Sequence, residues 1–520
     1  MPEVRFQIRW PDRSLQCCTS PSTAIERHLA AGARYPRAEF LRRAREGLGA
    51  AAERVREKYG FACTASAAQL DQIERHAASV GGSEDGQVVV ESMERREGRN
   101  GPAEVDGHYE VVIVGAGQAG LSMSWWLTER GIGHLVLERD RVARSWVEHR
   151  WDSFCLVTPN WQCRLPGHAY QGDDPNGFMV RDQIVDYVRG YADSFHPPVV
   201  EGVDVERVSR RGEGGFEVRS SAGTVTAEQV VLAVGGYHRP RVPEEARELP
   251  STLTQLHSSA YRNPGSLPDG AVLVVGSGQS GAQIAEDLHL AGREVHLCVG
   301  SAPRVARSYR GRDVVAWLHD IGNYDVPVDD HPEGNDARRE PNHYVTGRGG
   351  GHDIDLRTFA AEGMRLHGRL IDVDGGALGI AADLADNLDG ADHTYERINQ
   401  SIDEWIEEQG IEAPSGESYE PPWQPPDGAP PTLDLADAGI ASVVWATGFH
   451  KDWSWVDPPV FDDMGYPDGH RGTTSVPGLY VVGLPWLHTW GSGRFASIGR
   501  DTEHVADRIA ETAAVARDAA

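Results

Sequence analysis

Two short glycine-patterned segments have the spacing that binds a pyrophosphate. They read Gly115-Ala116-Gly117-Gln118-Ala119-Gly120 and Gly276-Ser277-Gly278-Gln279-Ser280-Gly281. Each follows an apolar run that predicts a buried strand and precedes a helical pattern. In such a loop the first glycine permits a tight turn, the second lets the backbone approach the phosphates, and the third seats the helix on the strand. The chain is therefore predicted to bind two dinucleotides at two helix N-termini.

The residues after each loop predict which dinucleotide it binds. After the first loop, the next strand ends at Glu138, where a carboxylate can hydrogen-bond a ribose 2′-hydroxyl, as in FAD or NAD sites. After the second loop, the strand ends without an acid and is followed by Ser301, Arg304 and Arg307. An arginine there can bind a 2′-phosphate through charge-assisted hydrogen bonds, which favours NADP. Alternatively, these arginines and Arg310 form a solvated basic loop.

Composition limits the class of protein. The 520-residue chain carries a formal net charge of −28, which argues against a nucleic-acid or anionic-membrane partner. No stretch approaches the roughly 18 to 20 apolar residues of a membrane-spanning helix, and the first residues lack a signal peptide's apolar core. A cytoplasmic location is predicted. The six cysteines show no C-x-x-C spacing, and no metal site is predicted.

The pattern along the chain predicts an α/β protein of several parts. Residues 1–80 read as a small α+β module and 81–106 as a linker. A first, flavin-type Rossmann-like domain is predicted over 107–262, and a second, NADP-type domain over 263–440 with a long insertion. Residues 441–520 are predicted to complete the first domain, which is then discontinuous, and both late apolar runs in this part are predicted to rejoin the first sheet.

Several further segments match one known family. They are the two glycine loops, Glu138, the run 150–161 (RWDSFCLVTPNW), Ala446-Thr447-Gly448, and Gly483-Leu484-Pro485-Trp486. With these, residues 107–510 resemble flavin-containing monooxygenases, most closely the bacterial branch encoded beside nitrilases in gene clusters linked to nitrogen starvation and cyanide assimilation. Residues 1–80 resemble a small nitrogen-starvation response protein encoded beside that enzyme. The chain is thus predicted to be a natural fusion of two neighbours.

The resemblance implies a mechanism and a set of site residues. NADPH would reduce FAD, and reduced FAD would capture O₂ as a C4a-hydroperoxide that oxygenates a small nitrogen- or sulfur-containing metabolite. Asn160 is the candidate that steadies the hydroperoxide, with a simple turn residue as the alternative. Further FAD-binding candidates are Arg139, Trp146, Arg150, Asp152, Thr447, Gly448, Gly483 and Trp486, with Trp161 and Trp490 as possible flavin walls. Core packing would explain the tryptophans equally well, and a salt bridge would explain Arg150 and Asp152.

One departure from the family leaves alternatives open. Baeyer–Villiger and N-hydroxylating members carry F-x-G-x-x-x-H-x-x-x-W between the loops, and residues 251–261 keep only the histidine, His257. This residue is either a hinge between the two domains or an ordinary loop histidine. The alternative functions are a flavin oxidase or dehydrogenase, or a redox sensor that binds a protein partner through residues 1–80. The oligomeric state stays open, with a homodimer as one candidate.

Overall fold

The computed structural model describes residues 3–12, 14–20, 22–59, 69–70, 73–74, 76–77, 86–96, 105–212, 214–416, 418–426, 428 and 431–519. The chain divides into two compact units, 1–104 and 105–520.

The N-terminal unit is an antiparallel sheet with a long helix. In spatial order its strands are Leu15–Ser20, Glu3–Arg9, Gln87–Arg96 and Arg34–Pro36. The helix Arg37–Tyr59 and the 3-10 helix Thr23–Arg27 follow in the same unit. Phe6, Ile8, Trp10 and Phe40 are fully buried in its core. The predicted α+β character is therefore present.

The predicted linker is wrong where the strand Gln87–Arg96 lies. This strand pairs with Glu3–Arg9 along most of its length. Val88 and Val90 are fully buried, whereas Val89 between them is partly exposed and most of the residues after Val90 are charged or polar. Such alternation is typical of a half-buried strand. Only one face of this strand packs on the core, so its other face carries charged residues. Those charges led to the linker prediction. Within the predicted linker, residues 81–85 and 97–104 lie outside the described residues.

The larger unit contains a mixed seven-stranded sheet that carries the first glycine loop. Six strands lie in the order Val205–Arg210, Phe216–Ser220, Gly223–Leu232, His108–Val114, His134–Glu138 and Val199–Glu201, and Leu479–Val481 also pairs with Gly223–Leu232. The helix Gln118–Glu129 links its two central parallel strands. The first loop therefore sits at the carboxyl end of a central strand, where open α/β sheets bind ligands.

A second, wholly parallel sheet carries the second loop. Its strands lie in the order Thr254–His257, Ile440–Trp445, Ala271–Val275, Val295–Cys298 and Arg365–His367. All five residues of Ala271–Val275 are buried, as expected for a central strand of a parallel sheet. The helix Gln279–Leu290 follows the loop. The two predicted Rossmann-like domains and the α/β class are confirmed.

One of the two late strands joins a different sheet from the one predicted. Leu479–Val481 rejoins the first sheet, as expected. Ile440–Trp445 instead lies between Ala271–Val275 and Thr254–His257 in the second sheet. Both runs are short and apolar, and periodicity alone cannot decide which sheet such a strand enters. The chain therefore returns to the first sheet after residue 445.

The remaining elements surround these two sheets. The other helices are Arg144–Glu148, Arg181–Phe195, Val314–Asp320, Leu356–Ala361, Leu384–Gln409 and Ile498–Ala519. Short strands are Arg164–Leu165, His168–Ala169, Arg239–Pro240, Ser308–Tyr309, Arg312–Asp313, Leu370–Asp374, Ala377–Ile380, Thr432–Asp434 and Phe449–His450. Within the described part of the chain, no helix combines the length and apolar character needed to cross a membrane.

Candidate dinucleotide and substrate sites

The first loop has the backbone that its glycines predict. Gly115 has φ +100°, and a Cβ there would lie 2.8 Å from the carbonyl oxygen of Ala233. A Cβ on Gly120 would overlap the carbonyl oxygen of Gly115. Around Gly117, by contrast, a Cβ would meet no described atom within 4 Å. Gly117 is the N-cap of the following helix, so free backbone N–H groups face this open space. The geometry fits a pyrophosphate.

Glu138 connects the end of its strand to this loop. Its Oε2 accepts a hydrogen bond from the Ala116 amide at 2.7 Å, and its Oε1 accepts one from the Asp140 amide at 2.9 Å. The carboxylate is thus held beside the loop, at the place from which an acid reaches a ribose hydroxyl. Arg139 is exposed and lies 3.5 Å from the carboxylate of Asp140.

The second loop repeats the backbone geometry of the first. Gly276 has φ +102°, and a Cβ there would lie 2.8 Å from the carbonyl oxygen of Ala446. A Cβ on Gly281 would overlap the carbonyl oxygen of Gly276. Gly278 again faces open space, and Ser280 is exposed. The second loop therefore fits a second pyrophosphate.

The strand end beside the second loop has a different chemistry. The Gly300 amide donates to Ser277 Oγ at 3.0 Å, and Ser301 is exposed. On the other side of the loop, Gln279 Nε2 donates to the carbonyl oxygen of Val345 at 2.7 Å, which joins the helix to the insertion. No acid lies at this strand end, as predicted from the sequence.

The side chain of Arg304 is not free to bind a 2′-phosphate as the sequence suggests. Only 2% of its surface is exposed. Its Nε lies 2.7 Å from Asp392 Oδ1, and its guanidinium lies 4.2 Å from the ring centroid of Tyr395 and 3.9 Å from that of Tyr419. This arginine is part of a buried internal cluster, so neither the 2′-phosphate role nor the solvated loop matches its environment.

Arg307 and Arg310 are also used internally. Arg307 is 4% exposed, and it donates to Asp313 Oδ1 and to the carbonyl oxygen of Val157, both at 2.7 Å. Arg310 Nε lies 3.0 Å from Asp403 Oδ1. Both residues do follow the strand that ends beside the second loop, as the sequence indicates. Their side chains nevertheless turn to carboxylates of the insertion, whose positions the spacing could not show.

The chain crosses between the two sheets twice, and the crossings pair with each other. Arg239–Pro240 and Phe449–His450 form a short antiparallel pair. His257 Nε2 lies 2.9 Å from the carbonyl oxygen of Gly448, and Nδ1 lies 2.9 Å from Ser259 Oγ. Burial lowers the pKa of His257, which favours the neutral ring. This histidine therefore fastens the end of a second-sheet strand to one crossing.

Thr447 and Gly448 lie beside the second loop, whereas Gly483 lies beside the first. Thr447 and Gly448 follow a strand of the second sheet, and Thr447 Oγ1 donates to the carbonyl oxygen of Arg241. A Cβ on Gly483, whose φ is +86°, would lie 2.6 Å from Ala119 Cβ. The FAD assignment of Thr447 and Gly448 is thus not supported by their sheet, and that of Gly483 is consistent with its position.

The segment after Gly483 extends along the first loop. Gln118 Nε2 donates to the carbonyl oxygen of Gly493 at 2.9 Å. Trp486 has φ +56°, and its amide donates to the carbonyl oxygen of Thr489 at 3.0 Å. Its own carbonyl oxygen accepts from Arg338 Nε at 3.2 Å. Trp486 therefore fixes a turn between the first domain and the insertion.

Trp146 and Arg150 lie together, but Asp152 is engaged elsewhere. The Trp146 ring stacks on Phe495 at 5.8 Å, and the Arg150 guanidinium lies 5.1 Å from the Trp146 ring centroid. Burial lowers the pKa of Arg150. Asp152 lies 2.6 Å from Arg181 Nη1 and also accepts from the side chain of Asn263. The salt-bridge alternative therefore describes Asp152.

Asn160 is buried and uses both ends of its amide for backbone contacts. Its Oδ1 accepts from the Met179 amide at 2.7 Å, and its Nδ2 donates to the carbonyl oxygen of Asp174 at 2.9 Å. These bonds match the alternative of a structural turn residue. The neighbouring Trp161 ring lies 5.1 Å from the ring of His319.

A small pocket lies where the insertion meets the segment 490–500. Trp490, one of the predicted flavin walls, lines it and stacks on Tyr324 at 4.6 Å. The other lining residues are Gln162, Arg164, His319, Asp325, Gly491, Arg494, Ala496, Ser497 and Arg500. The sequence analysis missed Arg164 and Arg494, because segments far apart in the chain bring them together and no motif marks either one.

The thiols of the larger unit are buried. Cys155, Cys163 and Cys298 are its only cysteines, and all three are buried and free. Burial raises the pKa of Cys155, and it raises the pKa of Cys163 and of Cys298 to about 12. Reactive redox cysteines are partly exposed thiolates with lowered pKa values. None of these three cysteines fits that description.

Two family models match different parts of the chain. Residues 5–93 match the nitrogen starvation-induced protein NitG, and residues 112–321 match the pyridine nucleotide-disulphide oxidoreductase family. The first match ends beyond the predicted module boundary, in agreement with the strand Gln87–Arg96. The two matches confirm that the chain is a fusion of two parts.

Individual proteins and solved structures are also similar to the larger unit. A protein described as an uncharacterized CzcO-like oxidoreductase from Geobacillus kaustophilus is 31% identical over 405 residues, which cover 77% of this chain and 98% of that protein. A probable indole-3-pyruvate monooxygenase of Arabidopsis thaliana is 30% identical over 196 residues, covering 37% of this chain and 47% of the plant protein. Among solved structures, a flavin-containing monooxygenase from Stenotrophomonas maltophilia has a TM-score of 0.53 at 18% identity, covering 78% of this chain and 99% of its own.

Proposed function

This chain belongs to the family of CzcO-like oxidoreductases and is an FAD-dependent oxidoreductase, and we propose that it is an NADPH-dependent flavin monooxygenase acting on a small nitrogen- or sulfur-containing metabolite. FAD and NADPH, the two predicted cofactors, are those that flavin monooxygenases and pyridine nucleotide oxidoreductases use. The open faces of Gly117 and Gly278 fit their pyrophosphates. We assign FAD to the first loop, with Glu138 at its ribose, and NADPH to the second.

The observation that carries the proposal is the combination of two dinucleotide loops with buried, protonated thiols. A disulfide reductase passes electrons from the flavin to a reactive dithiol, and residues 105–520 contain none. Reduced FAD supplies the activation of O₂ when it is bound. The monooxygenase relatives are consistent with this use of the flavin.

The residues of this chain contribute by binding, orienting and excluding water. Glu138 and the first loop hold FAD, and the paired crossings Arg239–Pro240 and Phe449–His450 hold the second domain against the first. His257 ties one crossing to the second sheet, which supports its role as a hinge. The stacked pair Trp146 and Phe495 keeps water from the first site, since flat apolar rings exclude solvent.

The biological setting is also part of the proposal. The NitG match supports a role in nitrogen metabolism and, by resemblance, a place beside nitrilase genes. We assign the N-terminal module to the binding of a protein partner. The net charge of −28 argues against nucleic acid or anionic membranes as partners. A cytoplasmic location and a homodimer complete the hypothesis.

A rapid-mixing experiment tests the oxygenation. The FAD-loaded protein is reduced with NADPH under argon and mixed with oxygenated buffer, and its absorbance is followed between about 350 and 500 nm. A transient band to the blue of oxidised flavin, together with less H₂O₂ released than O₂ consumed when substrate is present, is the expected result. Direct return to oxidised flavin with equal H₂O₂ and O₂ would favour an oxidase or dehydrogenase.

Removal of residues 1–104 tests the module. This boundary keeps the strand Gln87–Arg96 with its own sheet. Unchanged NADPH oxidation in the shortened protein, with loss of a partner captured by the full chain, would support a docking role. A fall in kcat would instead make the module a component of the catalytic reaction.

A further inference from the structure

Arg494 is a secluded cation without a carboxylate partner. Its Nη1 donates to the carbonyl oxygen of Trp490 at 2.6 Å, and its Nη2 donates to Asn342 Oδ1 at 2.8 Å. Its guanidinium lies 3.3 Å from the Trp490 ring centroid. No ion pair joins it to any residue that the structure describes. Burial lowers the pKa of Arg494 to about 10, so the side chain is still charged at neutral pH.

The three arginines of this unit that are most fully buried have acidic partners. Arg304 lies 2.7 Å from a carboxylate oxygen of Asp392, and Arg307 lies 2.7 Å from one of Asp313. Arg357 lies 2.8 Å from the other carboxylate oxygen of Asp392. A buried charge without a counter-charge is costly, which accounts for these three pairs. Arg494 is half-buried and, like Arg150, has no such pair among the described residues, so a bound anion can serve as its counter-charge.

The pocket around Arg494 has an excess of positive charge. Three arginines line it against one acid, Asp325. Asp325 already lies 2.6 Å from Arg500, which leaves Arg164 and Arg494 uncompensated. In a chain with a net charge of −28, such a site concentrates small anions from solution.

Aromatic side chains form the rest of the pocket's binding surface. Trp490 and Tyr324 stack with an interplanar angle of 23°, and both line the pocket. His319 also lines it and contacts Trp161, over whose ring Arg164 lies at 5.9 Å. The pocket therefore combines flat apolar walls with two cations, which suits a carboxylate attached to a small planar or apolar body.

The pocket is next to the first dinucleotide site but separate from its loop. Gly493, the residue before Arg494, accepts a hydrogen bond from Gln118 at the start of the loop's helix. Phe495, the residue after it, stacks on Trp146. None of the loop glycines lines the pocket. A molecule held by Arg494 would therefore lie beside FAD without occupying the pyrophosphate site.

We propose that this pocket binds the carboxylate of the substrate, with Arg494 as the principal anion-binding residue and Arg164 as the second. The metabolite is then a small organic anion that also carries the nitrogen or sulfur atom. The identification of this anion as the substrate rests on the proposed monooxygenase function.

The test uses phenylacetate and its neutral isostere phenylacetamide as probes. Each is titrated into the full-length, FAD-loaded protein, and binding is measured by calorimetry and by perturbation of the flavin absorbance. We expect phenylacetate to bind at least about tenfold more tightly than the amide, and Arg494→Gln to remove at least about tenfold of that affinity. Arg508→Gln, which changes an exposed arginine paired with Glu511, is the control and leaves the affinity unchanged.

Equal binding of acid and amide to the unaltered protein would overturn the inference without reference to any variant. If Arg494→Gln fails to fold or to retain FAD, Arg164→Gln decides, because its exposed side chain is not needed for packing. An unchanged phenylacetate affinity in Arg164→Gln would then overturn the proposal. If the pocket selects carboxylates but the protein transfers no oxygen, the anion site stands and the monooxygenase function is rejected. If the protein transfers oxygen but the pocket does not select carboxylates, the monooxygenase function stands and the anion site is rejected.

Discussion

The two dinucleotide loops have the same backbone conformation, but the hydrogen bond between loop and strand end runs in opposite directions in the two sites. In the first, the amide of Ala116 in the loop donates to the carboxylate of Glu138 at the strand end. In the second, the amide of Gly300 at the strand end donates to the hydroxyl of Ser277 in the loop. The first strand end therefore presents a negatively charged acceptor, whereas the second presents an uncharged backbone amide and carbonyl. An acid favours a ribose hydroxyl and repels a 2′-phosphate, so this difference alone favours NADPH at the second loop.

The shared backbone has a common cause in each sheet. The first glycine of each loop lies against the carbonyl oxygen of an alanine, Ala233 or Ala446, that directly follows a neighbouring parallel strand. Only a residue without a side chain tolerates that contact at positive φ. The glycines are thus dictated by the sheet, while the choice of nucleotide depends on the strand end.

The largest effect is expected from adding a methyl group to the third glycine of the first loop. In Gly120→Ala the new Cβ would overlap the carbonyl oxygen of Gly115, and backbone cannot yield as a flexible side chain can. The cost should exceed the about 1–3 kcal/mol typical of overpacking, and the larger unit should lose both its flavin and its cooperative unfolding transition. Thermal unfolding followed by circular dichroism and flavin fluorescence measures this.

Gly117→Ala is the matched control for that change. Its Cβ would meet no described atom within 4 Å, so the protein without FAD should unfold at the same temperature as the unaltered chain. Its FAD affinity should still fall, because the methyl group occupies the space of the pyrophosphate. Equal thermal stability of Gly120→Ala and Gly117→Ala would show that close packing of the loop does not require glycine at position 120.

The next effect concerns Arg304, which the sequence suggested as a 2′-phosphate ligand. In Arg304→Ala the buried carboxylate of Asp392 loses one of its two arginine partners. Breaking a buried pair typically costs about 3–5 kcal/mol, so the free energy of unfolding should fall by an amount of this order. The ratio of KM for NADPH to KM for NADH should not change. Denaturant unfolding and steady-state kinetics measure the two quantities.

Arg365→Ala is the control for Arg304→Ala. Arg365 is an exposed arginine, 3.7 Å from Glu294, and its removal should cost less than about 1 kcal/mol. A selective rise of KM for NADPH in Arg304→Ala, with no loss of stability, would restore the role suggested by the sequence and would remove the contrast between the two strand ends.

A smaller effect is expected at the acid of the first strand end. Glu138→Gln keeps the shape of the side chain but removes the charge-assisted hydrogen bond to the ribose and to Ala116. The dissociation constant of FAD should rise roughly 10- to 100-fold. Equilibrium dialysis of FAD measures the change, and binding of NADPH to the second loop should stay as it was. Weaker binding of both cofactors would show that the two sites are not independent.

Local patterns predicted much of this molecule, and contacts between distant segments decided the rest. The loops and Glu138 follow from glycine spacing, and the α+β character of the N-terminal unit follows from periodicity; both are properties of a few consecutive residues. The sheet joined by Ile440–Trp445 does not, because pairing partners lie more than 150 residues away along the chain. The same holds for Arg304 and Asn160, whose carboxylate and backbone partners lie on other segments. A charged or amide side chain shows its chemistry in sequence, but its partner depends on the tertiary fold.

The smallest effect tests the reversed hydrogen bond itself. Ser277→Ala removes a hydroxyl that accepts from the Gly300 amide at 3.0 Å and donates to the Gly300 carbonyl oxygen at 3.4 Å. A neutral hydrogen bond of this kind is worth about 0.5–1.5 kcal/mol. KM should rise roughly two- to tenfold for NADPH and for NADH alike, with no change in FAD content, since the bond positions the loop and does not read the 2′-phosphate. A larger rise for NADPH than for NADH would mean that this strand end, with the exposed Ser301, contacts the phosphate directly. The second strand end would then select its nucleotide by a contact, as Glu138 does in the first, and the absence of an acid would no longer be a sufficient explanation.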